Sequence, residues 1–342
     1  MSLKYTRRAA SVTSLAFVAS AATMAFGLAV LPAAAQAQPQ PFPSRPIHLV
    51  VTGAPGSSTD LIARRLSKVI QSHSGATVVV ENQGGASGSI ALVSTLKSPP
   101  DGYRLVIAVP DSVTIYPMLK KARPYNAEKE LTPIAQVAEA HYAFVVNANH
   151  PAKNMAEFVQ GVKAKPKGQG GSYASPGSGT SARLVTEMLL QRANIELLHA
   201  PYRSTIPGLQ GVAGGEVDMM VTSLASAKAL IDGGKLKAIG LTREQRLPGF
   251  EGVPTLVESG FPNFVVPVWW GVFGPAALPA DVREKLSAMF QKASETDEYK
   301  QQLVTLGLEP RTRATAEFAT FLRSDTEMWA GVIRKAEIPL ED

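Results

Sequence analysis

The sequence predicts an α/β protein built as two lobes, and three observations carry that reading. Strand–helix alternation runs twice along the chain. A pair of candidate crossing strands separates the two series, and the same loop pattern opens a helix in each. A length of 342 residues fits roughly two domains, each able to bury its own core.

In the first series Ile47–Thr52 (IHLVVT) reads as a buried strand, and the loop Gly53–Asp60 leads into a helix reaching about Gln71. Leu61, Ile62, Leu66, Val69 and Ile70 fall on one side of that helix, with Arg64, Arg65 and Lys68 outside. Strand Thr77–Glu81, a Gly/Ser loop at 84–89, a helix to Leu96 and strand Arg104–Val109 follow. Ile134–Ala138 and Tyr142–Asn147 are read as two strands crossing between lobes. The second series comprises helix Met155–Lys163, strand Gly171–Ser175, helix Ser181–Arg192, strand Glu196–Ala200 and a short helix near Pro207–Val212. Strand Val217–Thr222, helix Ser226–Ile231 and strand Leu236–Thr242 complete it. Pro254–Gly274 is strand-like and rich in Gly and Pro, which fits a return crossing. Helices near Ala280–Glu295, Glu298–Thr305 and Ala316–Lys335 then complete the first lobe, the last presenting Phe318, Phe321, Leu322, Trp329, Val332 and Ile333 on one face. The expected organisation is a signal segment at 1–37, lobe I from 38–142 and 266–342, and lobe II from 143–265.

The signal segment rests on Lys4, Arg7 and Arg8 with no acid before residue 38, an apolar run from Ala9 to Leu31, and Ala35-x-Ala37. A basic start, an apolar middle and a small-residue exit form the layout of a cleavable export signal ending at Ala37. The run is long enough to be a retained anchor, but the polar stretch from Gln36 to Gln40 favours cleavage. Arg7-Arg8 matches a twin-arginine signal poorly. Without Lys4, Arg7 and Arg8 the 34 basic residues fall to 31 against 28 acidic ones, so the net charge drops from +6 to +3. No dense basic block remains, and nucleic-acid binding is not supported.

Composition removes several chemistries. With no cysteine there is no disulfide scaffold, zinc ribbon or thiol nucleophile. His48, His73, His141, His150 and His199 show no metal-ligand spacing, so neither a metal nor a cofactor is expected. Gly177–Ala182 matches a dinucleotide G-x-G-x-x-A pattern, but the strand before it is short and polar. There is no G-x-S-x-G elbow, and a Ser57 or Ser178 nucleophile served by His199 has no support. Asp60 and Glu81 read as a helix cap and an element-end charge rather than an acid–base pair. Trp269-Trp270 reads more readily as core than as a stacking platform.

The repeated loop is the positive signal. Pro55-Gly56-Ser57-Ser58-Thr59 and Pro176-Gly177-Ser178-Gly179-Thr180 share P-G-S-x-T, 121 residues apart, each after a strand and before an amphipathic helix. Ser57-x-x-Asp60 fits a capping box. Exposed N–H groups at a helix start attract an anion, and neither loop has a P-loop lysine, so a carboxylate fits better than a phosphate. Two ordinary capped helix starts are the plainer alternative. The pairing favours a cleft closed by two opposed helix N-termini.

The segments SRPIHLVVTGAPGSSTDLIARRLS, VVVENQGGASGSIA, PPDGYRLVIA, GSYASPGSGTSARL, HAPYRSTIPGLQGVAGGEVDMM, LIDGGKLKAIGLT, VPTLVESG and AEFATFLRSDTEMWAGVIRKAEI, in that order, resemble the Bug family, the TctC-like periplasmic receptors of tripartite tricarboxylate transport systems. The resemblance implies a two-lobed periplasmic-binding-protein (Venus flytrap) fold with two hinge-crossing strands. It also implies capture of a small carboxylate, a di- or tricarboxylate or an aromatic acid, for a membrane transporter. A receptor feeding a membrane sensor kinase and, more remotely, an exported enzyme are the alternatives. By the same resemblance, ligand contacts are expected from Pro55, Gly56, Ser57, Ser58 and Thr59, from Asp111 and Ser112, and from Ser175, Gly177, Ser178, Gly179, Thr180 and Ser181. Tyr202, Arg203, Thr222 and the rim aromatic Trp269 complete the expected set, in a periplasmic monomer. Two positions depart from the family pattern: Thr222 stands where Asp is usual, which weakens an amino-acid ligand, and Pro110-Asp111 replaces a small polar pair.

Overall fold

A computed structural model describes residues 42–166, 168–177, 179–335 and 340; the expected signal segment and Ser178 lie outside them. Strand β1 (Ile47–Val51) leads to helix α1 (Ser58–Ser74). That helix begins where extended Ser57 accepts the Asp60 N–H at 3.4 Å, and it ends at Gly75, whose φ of 71° suits a residue without Cβ. The Asp60 carboxylate reaches back to the Gly56 N–H at 2.9 Å, so the expected cap forms. β2 (Val78–Asn82), α2 (Ser89–Leu96) and β3 (Arg104–Ala108) follow, and β1 pairs in parallel with both β2 and β3. A π-helical turn, Asp111–Ile115, then runs into the short α3 (Tyr116–Leu119), and α4 (Ala127–Glu130) precedes β4 (Leu131–Asn147).

The two expected crossing strands are one continuous 17-residue strand, β4. The polar residues that seemed to interrupt it are satisfied in place. Glu139 exchanges backbone hydrogen bonds with Glu309 and pairs with Arg313 at 3.2 Å, and His141 Nδ1 lies 3.0 Å from the Glu309 carboxylate. The strand therefore runs on without turning.

The second series is α5 (Met155–Lys163), β5 (Ser172–Ser175), α6 (Ser181–Ala193), β6 (Leu198–Pro201) and α7 (Thr205–Gly214), then β7 (Met219–Ser223), α8 (Leu224–Asp232) and β8 (Leu236–Leu241). The return passes through turns and becomes strand at β9 (Pro267–Pro275), later than the strand-like composition from Pro254 suggested. α9 (Ala280–Ser294), α10 (Asp297–Val304), β10 (Arg313–Ala314) and α11 (Thr315–Lys335) follow.

The strand order is β2-β1-β3-β9-β4-β7-β5-β6, with β8 and β10 also joined to β4. β4 is the axis of the molecule. Residues from Leu131 to His141 pair with β9, while Tyr142 to Asn147 pair with β7 and β8. The chain changes sheets between His141 and Tyr142. The return crosses at the same level. Tyr142 and Thr242 exchange backbone and side-chain hydrogen bonds at 2.9 Å, and Thr242 Oγ1 donates to the Val266 carbonyl at 2.7 Å.

Each half is covered on both faces, which explains the nearly continuous apolar strands. In β1, Leu49 and Val51 pack toward Ile62 and Leu66 of α1 and Phe290 of α9. Val50 packs toward Leu92 of α2 and Phe318 of α11. In the second half Phe144 and Val146 meet Phe158 and Leu189, while Ala143 and Val145 meet Leu209 and Val212 on the other face.

Candidate functional site

The carboxyl ends of the parallel strands in both halves face one cleft, the place where open α/β sheets bind ligands. A cavity of ≈ 110 Å³ lies there, walled by the loops after β1, β2 and β3 on one side and by those after β5, β6 and β7 on the other.

On the first wall Ser57, Ser58 and Thr59 form the opening turn of α1, with Thr52 and Gly53 beneath them. Trp270 Nε1 donates to Thr59 Oγ1 at 3.0 Å and holds that hydroxyl in place. The Ser58 N–H donates across the cleft to Ser226 Oγ at 3.0 Å, so the start of α1 is opposed by the start of α8. Asp60 takes no part in the cavity. Burial works against its ionisation, yet Arg64, the Gly56 N–H and Asn82 hold its pKa below the ordinary carboxylate value. Glu81 likewise serves structure: burial opposes its charge, but His48 and Arg104 lower its pKa.

The loop after β2 was absent from the expected set. Gly84, Gly85, Ser87 and Gly88 line the cavity, and Ser87 sits in the left-handed region at φ 54°. At Gly88, φ is 88° and a Cβ would come within 2.8 Å of Thr52 Cβ, so only glycine lets this loop close over the end of β1. The available signal was positional, since a Gly/Ser loop after a parallel strand must open on the same edge as the loop after β1.

On the second wall stand Thr180 and Ser181 at the start of α6, Arg203, Ser204 and Thr205 ahead of α7, and Thr222, Ser223 and Ser226 around the end of β7. Arg203 is exposed at the mouth. Asp111 reaches this wall from the other one. Its Oδ1 accepts the Ser181 N–H at 2.9 Å and a still closer hydrogen bond from Ser181 Oγ. Burial pushes the Asp111 pKa up while the two Ser181 donors pull it down, and the net direction is upward. Tyr142 also lines the cavity. Its buried hydroxyl lies near Ser181 and Asp111, and burial together with the Asp111 charge raises its pKa well above the ordinary phenol value against the pull of Ser181.

Of the expected set, Ser57, Ser58, Thr59, Asp111, Thr180, Ser181, Arg203 and Thr222 line this cavity, and the other described members do not. Pro55 and Gly56 are exposed on the outer turn of their loop. Ser112 is fully buried, its Oγ donating to the Val109 carbonyl at 3.3 Å. Ser175 Oγ is 2.7 Å from His199 Nε2 and donates to the Gly177 carbonyl at 2.9 Å, so it braces the loop from behind. Gly179 instead lets this loop approach the opposite wall, since a Cβ there would come within 2.9 Å of the Tyr116 ring, and Gly177 supplies a φ of 139°. Tyr202 turns its hydroxyl to Glu216 at 3.1 Å. Trp269 is a correction. It is fully buried against Phe318 at 5.6 Å and Phe273 at 6.1 Å, because neighbouring strand residues point to opposite faces, and Trp270 takes the cleft face.

Fold and cleft together define a two-lobed binding protein of the periplasmic type. Residues 62–338 match the family model described as "Tripartite tricarboxylate transporter family receptor" (TctC), and the chain belongs to that family of solute-binding receptors. Its relatives include the UPF0065 protein of the tcbD-tcbE intergenic region of Pseudomonas sp. strain P51, 34% identical over 85% of this chain and 86% of that one. Among solved structures it resembles the periplasmic binding protein BugD (29% identity, TM-score 0.81, 87% of this chain and 99% of that one). It also resembles MatC from Rhodopseudomonas palustris with bound malate (27% identity, TM-score 0.79, 85% and 100% covered).

Proposed function

We propose that this chain is an extracytoplasmic solute receptor that captures a small carboxylate between its lobes and presents it to a membrane transporter of the tripartite tricarboxylate type. The observation that carries this reading is a cavity lined from both sides by hydroxyls and helix-start N–H groups, with Arg203 as the only cationic side chain among its described lining residues. Such a lining complements a carboxylate and offers no paired acid and base for chemistry. Similarity to MatC with bound malate supports a carboxylate as the group recognised, and the basic–apolar–small layout of residues 1–37 supports export to the periplasm. The lobes are proposed as 38–142 with 266–342, and 143–265, meeting where β4 changes sheets.

The mechanism is binding alone. A ligand touching Ser57–Thr59 on one wall and Thr222 and Arg203 on the other stabilises the closed arrangement by the contacts that exist only there. Thermal unfolding with a panel of small carboxylates tests this. A ligand at a hundredfold its Kd adds about 2.7 kcal/mol, and Arg203→Gln is expected to weaken that ligand about tenfold. A panel that leaves the unfolding temperature unchanged would count against the carboxylate reading.

A further inference from the structure

The second lobe's helix start already has an anion on it. The cap residue of α6, Thr180, makes no cap with its side chain, whose Oγ1 donates to the Gly177 carbonyl at 2.8 Å. The cap is supplied from the other lobe by the Asp111 carboxylate, on the Ser181 N–H and Ser181 Oγ. The place where a ligand anion would gain most from α6 is therefore taken by a side chain of the protein itself.

Asp111 is firmly seated. It opens the π-helical turn Asp111–Ile115, in which the Val113 N–H bonds the Val109 carbonyl at 3.2 Å and the Ser112 carbonyl accepts the Tyr125 hydroxyl at 2.5 Å. It also faces the cavity: Asp111 and Arg203 are the two charged side chains among the described lining residues. The first wall carries no carboxylate. The Ser57 N–H donates to the Ala54 carbonyl at 3.1 Å and the Ser58 N–H to the neutral Ser226 hydroxyl at 3.0 Å, a partner a ligand anion can replace without meeting a like charge, and Asp60 is turned away onto Gly56 and Arg64.

We propose that Asp111 is a resident carboxylate that completes the second wall, so that the cleft accepts solutes bearing one carboxylate, held against α1, and rejects solutes bearing a second carboxylate at the opposite end. This rests on the carboxylate-receptor reading above. A second ligand carboxylate would have to lie against Asp111 or expel it from the Ser181 donors, and two like charges sharing one donor set cannot both stay ionised without penalty. A far end that donates a hydrogen bond, by contrast, meets the Asp111 carboxylate with the Tyr142 side chain beside it.

Calorimetry with chain-matched pairs tests the proposal: butyrate with succinate, hexanoate with adipate, and benzoate with terephthalate. In the purified wild-type chain the monocarboxylate of a bound pair is expected to bind at least tenfold tighter than its dicarboxylate. In Asp111→Asn, which keeps the shape and an acceptor for the Ser181 N–H, dicarboxylate affinity is expected to rise at least tenfold while monocarboxylate affinity moves less than threefold. A wild-type chain that binds a dicarboxylate as tightly as its matched monocarboxylate overturns the proposal whether or not the variant folds, and leaves the carboxylate reading standing. A folded Asp111→Asn with an unchanged ratio also overturns it. No heat from any of the six acids overturns the carboxylate reading, and this one with it.

Discussion

Trp269 and Trp270 differ by one residue and by everything around them. Trp270 tethers Thr59 in the cleft, whereas Trp269 and Trp329 turn their indoles toward Asp325 in the core beneath α11. Asp325 is 5% exposed; burial pushes its pKa up to about 7, against the pull of Trp269, Trp329 and Thr114. Between the ordinary value of 3.8 and about 7, the folded chain keeps a proton that the unfolded chain releases. Stability contributed by this group therefore declines as pH rises across that window. Asp325→Asn is expected to remove the decline, so that the variant gains on the wild type as pH goes from 5 to 8 in urea unfolding. Parallel curves for the two proteins would show that Asp325 is ionised throughout. Trp329 is Asp325's neighbour one helical turn on, but Trp269 comes from β9 and is brought there only by packing.

Among elements, the two glycine loops that look alike in sequence are capped in different ways. α1 caps itself through Ser57 and Asp60, so its start can be read from local sequence. Ser57→Ala is expected to cost about 1 kcal/mol in chemical denaturation, since Asp60 N–H loses its acceptor. A loss under a few tenths would mean that the Gly56–Asp60 bond suffices. α6 is capped by Asp111, 70 positions earlier in the chain, and no local pattern contains that partner. The same contrast explains β4. Its alternation of apolar residues was legible, but Glu139 and His141 break the pattern, and only their pairing with Glu309 and Arg313 shows that the strand continues.

For the whole molecule, the two halves are joined by β4 and by the return strand, and Thr242 ties these crossings together. Its hydroxyl accepts the Tyr142 N–H at 2.9 Å and donates to the Val266 carbonyl at 2.7 Å in a fully buried position. Thr242→Val keeps the volume and strands both partners, and is expected to cost about 1–3 kcal/mol. A near-neutral result in urea unfolding would show that the backbone pairing alone holds the crossings. Nearby, Glu309 accepts from Arg243 and His141, and the two hold its pKa below the ordinary value against the effect of burial. A charged knot thus sits beside the two crossings.

By itself the sequence determined the α/β class, the order of the elements and the family, because these depend on local periodicity, on turn residues and on motifs kept in order along the chain. The repeated P-G-S-x-T loop and the family resemblance also pointed to Ser57–Thr59 and Thr180–Ser181, which line the cavity. Tertiary structure decided the rest. Trp270 faces the cleft and Trp269 the core because the pleat assigns neighbours to opposite sides, and only strand pairing fixes which side is which. Ser87, Tyr142 and Ser226 enter the cavity, and Asp111 meets Ser181, because residues far apart in the chain are brought within hydrogen-bond reach by the closure of one lobe on the other. A contact of that kind leaves no local trace in the order of the residues that make it.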